Sequence, residues 1–143
     1  MRITLYSDYS VRVLLYLKGK HGKSASLTEL ADFYGISRNH LMKVVRNLRL
    51  KGFVITEKGR GGGIWLARPA DEIKIGEVMR HAQRDFDASA CSTVQRGRVG
   101  GACHLDAVLS EASAAFIKVL DDRTLGDIAS GRRIRVGRRT SPL

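Results

Sequence analysis

Cysteine is scarce in this chain: 143 residues hold two, Cys91 and Cys103. The start of the chain also lacks the basic flank, apolar stretch and small-residue cleavage site of a secretory signal. Two thiols without a signal are a poor basis for a disulfide framework, because the cytosol keeps thiols reduced, and a cytoplasmic location is expected. No run reaches the roughly 18 apolar residues of a membrane-spanning helix. The four histidines, His21, His40, His81 and His104, fall in no motif that pairs them with a nucleophile. No carboxylates stand at catalytic spacing either, so the chain reads as a non-enzyme. Internal repeats are missing. The glycine-rich stretch at 59–63 is not followed by G-K-[ST], which excludes a phosphate-binding P-loop.

Positive charge is abundant and unevenly placed. The net charge is +11, from 25 Lys/Arg and 14 Asp/Glu, with 43% hydrophobic residues, enough for one domain with a true core. Residues 1–70 carry 13 basic and 4 acidic side chains, 71–130 carry 7 and 10, and 131–143 carry 5 and none. A basic surface confined to one part of a chain suits phosphate neutralisation with release of counterions, which makes DNA binding salt-dependent. A merely solvated basic surface is the plain alternative.

The order of elements explains where that charge sits. Residues 7–21 are expected to form a first helix, capped by Ser7 with Asp8 in its first turn, and with Val11, Leu14, Leu15 and Lys18 along one face. Ser26 and Glu29 make an S-x-x-E capping box for a second helix, whose stripe is Leu27, Leu30, Ala31 and Tyr34. Gly35 stops it in the left-handed conformation, and Ile36 sits in the turn. Ser37 caps a third helix, with Leu41, Val44, Val45 and Leu48 inward at i, i+3, i+4, i+7 and Gly52 ending it. Strands at 53–57 and 64–67 flank the glycine-rich tip, and Pro69 closes the hairpin. A fourth helix is expected over 73–84. A long amphipathic helix follows over 104–120, carrying Leu105, Val108, Leu109, Ala112, Phe116, Val119 and Leu120. A short helix at 124–129 precedes a basic tail expected to be disordered. The fold class expected is therefore mainly α with a small β-hairpin wing: a winged helix-turn-helix with a long C-terminal helix.

A helix-turn-helix lays its second helix in the DNA major groove, N-terminal residues nearest the base edges. That makes Arg38, Asn39 and His40 candidates for base or groove-wall contacts, since Arg pairs with guanine and Asn with adenine. Lys43, Arg46 and the Ser37 hydroxyl are candidates for phosphate. In the wing, Lys58, Arg60 and Gly61 let the backbone approach DNA and send an arginine toward a narrow minor groove. The helix at 104–120 is read as a dimerisation helix, because a palindrome needs two reading heads at fixed spacing. Packing on its own domain is the alternative. Eleven residues separate Cys91 from Cys103, Arg96 and Arg98 among them, and basic neighbours favour the thiolate. Two inert thiols are the alternative there, and His104 is the nearby imidazole for a metal.

The blocks SDYSVRVLLYL, LADFYGISRNHLMKVV, KGRGGGIWLA, IGEVMRH and CHLDAVLSEASAAFIKVLDDRTLGDI resemble the Rrf-type family of winged-helix regulators, in its NsrR branch, over about residues 1–130. The resemblance implies a homodimeric repressor of a palindromic operator in double-stranded DNA. It implies nitric oxide or redox sensing through an iron–sulfur cluster, [2Fe–2S] or [4Fe–4S], held by loop cysteines. The branch pattern is C-x5-C-x5-C. Cys91 and Cys103 match its first and third positions, whereas Gly97 stands at the middle one. Asp8 matches an acidic residue that the family can donate to the cluster of the partner subunit, and His104 is a further ligand candidate. The chain divides on this reading into a DNA-binding domain at 1–84, a cysteine-bearing sensor loop at 85–103, dimer and final helices at 104–130 and a basic tail at 131–143. Two rival readings stand beside it: a winged-helix regulator of DNA that has lost the cluster, and a winged helix reused as a protein-interaction module.

Overall fold

The computed structural model describes residues 3–82 and 102–131, the latter without the side chains of 102–104 and 106. Cys91, Gly97, Arg96, Arg98 and the tail from 132 lie outside the described residues, as do the side chains of Cys103 and His104.

Helix α1 runs Leu5–Gly19 and its cap is Thr4, not Ser7. Thr4 has the extended backbone a cap requires, and its hydroxyl accepts from the Ser7 amide at 3.2 Å. Ser7 is already helical at that point and is buried, sharing a 2.8 Å hydrogen bond with the Thr4 hydroxyl. The inward face also differs from the expected one. It consists of Ser7, Ser10, Val13, Leu14 and Leu17, while Lys18 is exposed and Val11 and Leu15 are half-buried. Ser10 tolerates burial because its hydroxyl donates to the Tyr6 carbonyl at 2.8 Å, so no polar group is stranded.

Helix α2, Leu27–Tyr34, starts with both halves of the capping box: Ser26 accepts from the Glu29 amide at 3.0 Å, and Glu29 accepts from the Ser26 amide at 3.4 Å. Its glycine cap, Gly35, is left-handed, and Ile36 is buried between the helices. Helix α3, Arg38–Leu50, buries Leu41, Val44, Val45 and Leu48, the stripe read from the sequence.

Strands β1, Val54–Glu57, and β2, Gly63–Leu66, pair antiparallel with Val54 opposite Leu66 and Glu57 opposite Gly63. Ala25 adds a short third pairing to Ile64, with hydrogen bonds of 3.0 and 2.9 Å, and so ties the wing to the start of α2. A 3-10 turn at Ala70–Glu72 leads into α4, Ile75–Ala82. Helix α5 spans Ala102–Asp121 and α6 spans Leu125–Ala129. The α5–α6 corner is stitched to the approach to α4 by two backbone bonds: Ile75 N to Arg123 O at 2.9 Å and Leu125 N to Ile73 O at 2.8 Å.

One core joins α1, α2, α3, the hairpin, α4 and α6 around Leu14, Leu30, Leu41, Phe53, Ile73 and Leu125. Helix α5 is different. Leu105, Val108, Leu109 and Val119 are each at least half exposed, while Leu120 at its C-terminal end packs on the core.

Candidate nucleic-acid interface

The burial of one face of α3 dictates what the other face offers. Arg38, Asn39, His40, Lys43 and Arg46 are all exposed, as is Ser37 at the helix start. Ser37 has two tasks. Its hydroxyl accepts from the His40 amide at 3.3 Å, and it shares a 3.0 Å hydrogen bond with His40 Nδ1. Holding Nδ1 anchors the imidazole at the start of the helix. The free amides of the first turn also favour an anion there.

The wing places Lys58, Arg60 and Gly61 on the surface. Gly59 and Gly61, either side of Arg60, have φ of 96° and 82°, a left-handed backbone that a β-carbon would strain. The tip is closed by a 3.0 Å bond from Gly62 N to Gly59 O. The arginine thus stands at the apex of a tight turn that no side chain crowds.

The ion pairs among the described residues engage Arg12, Lys20, Arg68 and Arg80, with Asp8, Glu29, Glu77 and Asp121 respectively. None of them neutralises a cation of α3 or of the wing. Among the described residues, the cations of the reading helix and wing are therefore exposed without an ion-pair partner, whereas those that brace the scaffold are paired.

A small cleft of about 230 Å³ flanks the start of α3, lined by Leu5, Tyr6, Tyr9, His40, Lys43 and Val44. Tyr6 donates its hydroxyl to the Lys43 carbonyl at 3.2 Å. Burial pushes the Tyr6 phenol up from its ordinary value, and a hydrogen bond from the Asn47 side chain pulls it back in part. Asn47 was not singled out by the sequence reading. Its signal was its place on the same helix edge as His40 and Lys43, at the rim of the apolar stripe.

The other site candidates are not brought together. Asp8 lies in the first turn of α1, 41% exposed, with Arg12 Nε at 2.6 Å from its carboxylate. Among the described residues no three His, Cys, Asp or Glu side chains gather as a metal site. Cys103 falls in the first turn of α5. The donor chemistry of the chain is two thiols, one outward carboxylate and a glycine at the middle position of the pattern. A cluster held by this set would have fewer thiolates than the usual four, and the Asp8 carboxylate is here engaged by Arg12.

The geometry so far is that of a regulator built to read DNA, and comparison with known families decides which one. The model of the Rrf2 family, described as an iron-dependent transcriptional regulator, matches residues 3–131. The chain belongs to the Rrf2 family. Within it, the HTH-type transcriptional regulator NsrR of Bacillus licheniformis is 42% identical over 131 residues, covering 90% of this chain and 92% of that one. NsrR of Bacillus subtilis is 40% identical over 135 residues, with 92% of each covered. Among solved structures, the global cysteine regulator CymR of B. subtilis superposes with a TM-score of 0.75 at 26% identity, covering 92% of this chain and 98% of that one. IscR of T. potens shares the fold with a TM-score of 0.73 at 23% identity, covering 92% and 88%. The Rrf2 chain is therefore a transcriptional regulator of the NsrR type with a winged-helix fold, and its relatives are regulators rather than enzymes. No helix among the described residues is long and apolar enough to cross a membrane.

Proposed function

We propose that this Rrf2-family regulator is a homodimeric repressor that binds a palindromic operator and senses nitric oxide or redox state through an iron–sulfur cluster. The observation that carries the reading is the exposed row Arg38, Asn39, His40, Lys43 and Arg46 beside the Arg60 wing, none of them in an ion pair with another described residue. Arg38, Asn39 and His40 address base edges. Ser37, Lys43, Arg46, Lys58 and the Gly61 backbone hold phosphate, and Arg60 enters the minor groove.

A second copy covers the exposed row Leu105, Val108 and Leu109 on α5 and fixes the distance between the two reading helices. Cys91 and Cys103, with Asp8 of the partner subunit, hold the cluster, and His104 is a further donor. Gly97 leaves that set one thiolate short of the family pattern. When bound, the cluster supplies soft iron that reacts with nitric oxide or oxidants. The chain's own part is to keep two thiols in their thiolate form beside Arg96 and Arg98, and to translate the state of the 85–103 segment into the spacing of the reading heads.

Anaerobic purification followed by iron and sulfide analysis tests this, with duplex binding measured before and after a nitric oxide donor. Bound iron and sulfide, and a loss of affinity of about fivefold or more on exposure, are expected. A colourless protein without iron or sulfide, still binding the duplex, would leave the cofactor-free regulator. Absence of salt-dependent duplex binding, with Arg38→Ala and Arg60→Ala both silent, would leave the protein-interaction module.

A further inference from the structure

The side chain of Asn47 sits where two distant parts of the chain meet the reading helix. On one side its Nδ2 donates to the main-chain carbonyl of His81 at 3.4 Å. His81 is the penultimate residue of α4, and the segment that carries Cys91 begins directly after α4 ends at Ala82. The His81 ring itself rests edge-on against Phe53, centroids 5.8 Å apart, and Phe53 is the fully buried residue that follows α3. Tyr6 meets the same helix edge one turn earlier, where its hydroxyl donates to the Lys43 carbonyl at 3.2 Å. Tyr6 is two residues from Asp8 in the first turns of α1.

A displacement of the end of α4 therefore reaches the reading helix at one amide side chain, and a displacement of the start of α1 reaches it at the Lys43 carbonyl. Neither contact is needed to close the core. Asn47 lies at its rim, half-buried, while Leu41, Val44, Val45 and Leu48 fix α3 to the domain. An amide donor held by one carbonyl acceptor has discrete arrangements, because losing that bond leaves a polar group that must find another partner. Lys43 and Arg46, adjacent on the helix, are the groups such a shift would move.

We propose that Asn47 is a positioning residue that couples the C-terminal end of α4 to the recognition helix through the His81 carbonyl. The inference rests on the reading of the cysteine-bearing segment as the sensing element, and its test does not use the cluster. The thiols of the full chain are alkylated with N-ethylmaleimide as a defined perturbation of that segment. Amide hydrogen exchange of residues 43–50 and the affinity for a palindromic duplex, selected by the unmodified protein from a random library, are then read together. In the wild type, alkylation is expected to change both by about fivefold or more, the range of ordinary allosteric coupling. In Asn47→Ala the response falls to near onefold while unmodified binding stays within about threefold. Asn47→Asp, equal in size but without an amide donor, behaves like Asn47→Ala, which separates the lost donor from lost volume. Circular dichroism confirms that each variant is folded, and Asn47→Asp alone suffices where Asn47→Ala is not. Variants that keep the wild-type response overturn the proposal, and so does a wild type whose α3 exchange ignores alkylation. An unmodified protein that binds no iron, with the alkylation response intact, would instead count against the cluster reading alone.

Discussion

Replacing Gly76 by alanine puts a methyl group against the carboxylate of Asp121, 2.8 Å from its Cγ and 3.0 Å from the Asp121 backbone nitrogen. Gly76 is the second residue of α4, so the substitution brings two opposed effects. Helix propensity favours alanine by up to about 1 kcal/mol. Against that, forcing a methyl into a filled space costs about 1–3 kcal/mol. Displacing Asp121 also breaks its exposed ion pair with Arg80, which adds about 0–1 kcal/mol. The backbone nitrogen cannot swing aside as a carboxylate can, because it belongs to the corner bonded to Ile73 and Ile75. A net loss of about 2 kcal/mol follows, which for a chain of this size lowers Tm by about 6 °C. Thermal melts at one fixed protein concentration read this directly. The double variant Gly76→Ala, Asp121→Ala is expected to recover about 1 kcal/mol of the loss, since the main clash has gone. A Gly76→Ala protein that melts higher than the wild type would refute the reasoning, because propensity alone would then have decided the outcome.

Three further outcomes are expected. Ser37→Ala removes the cap of α3 and the partner of His40 Nδ1, so stability falls by about 1 kcal/mol in urea unfolding and duplex affinity falls with it. The Glu29 carboxyl is held down at about 2 by the Lys20 ammonium first and the Tyr16 hydroxyl second. Its folded value lies below the ordinary 4.5, so its contribution is full above pH 4.5 and is lost as pH falls toward 2; melts of Glu29→Gln over that window are expected to be flatter than those of the wild type. Leu109→Glu puts a charge in the exposed apolar row of α5, and sedimentation equilibrium is expected to show dimer giving way to monomer with the helix content kept.

What the sequence disclosed depends on how strongly each residue is tied to a period or a cap. Leu41, Val44, Val45 and Leu48 were legible because the stripe is clean and Ser37 and Gly52 punctuate it. The capping box of Ser26 and Glu29 was legible for the same reason. Helix α1 was placed two residues late and its inward face only partly found: Leu14 is buried and Val11 and Leu15 pack at the core's edge, whereas Ser7, Ser10, Val13 and Leu17 were missed and Lys18 is exposed. Ser7 and Ser10 look like surface residues, yet both are buried with their hydroxyls bonded locally. A hydrophobicity pattern cannot see a polar group that satisfies itself. The pairing of Lys74 with Thr124, the seat of Asp121 over Gly76 and the reach of Asn47 to His81 join residues 34 to 50 positions apart or so, and no local pattern encodes them. The exposed candidates Arg38, Asn39, His40, Lys43, Arg46, Lys58 and Arg60 were legible by elimination, as the polar remainder of well-determined elements.

The central claim is that α3 and the wing together read duplex DNA, and fluorescence anisotropy over a salt series tests it most directly. A palindromic duplex selected by the wild type and a scrambled duplex of equal length are titrated with the wild type, Arg38→Ala, Arg60→Ala and Lys43→Ala. The wild type is expected to prefer the selected duplex by about a thousandfold or more. Each arginine variant loses about 5- to 150-fold of that preference, the worth of one base-reading contact. Lys43→Ala weakens both duplexes alike and makes the log–log salt slope shallower by about one. Equal affinity for the two duplexes, or variants that bind as the wild type does at every salt concentration, would contradict the account.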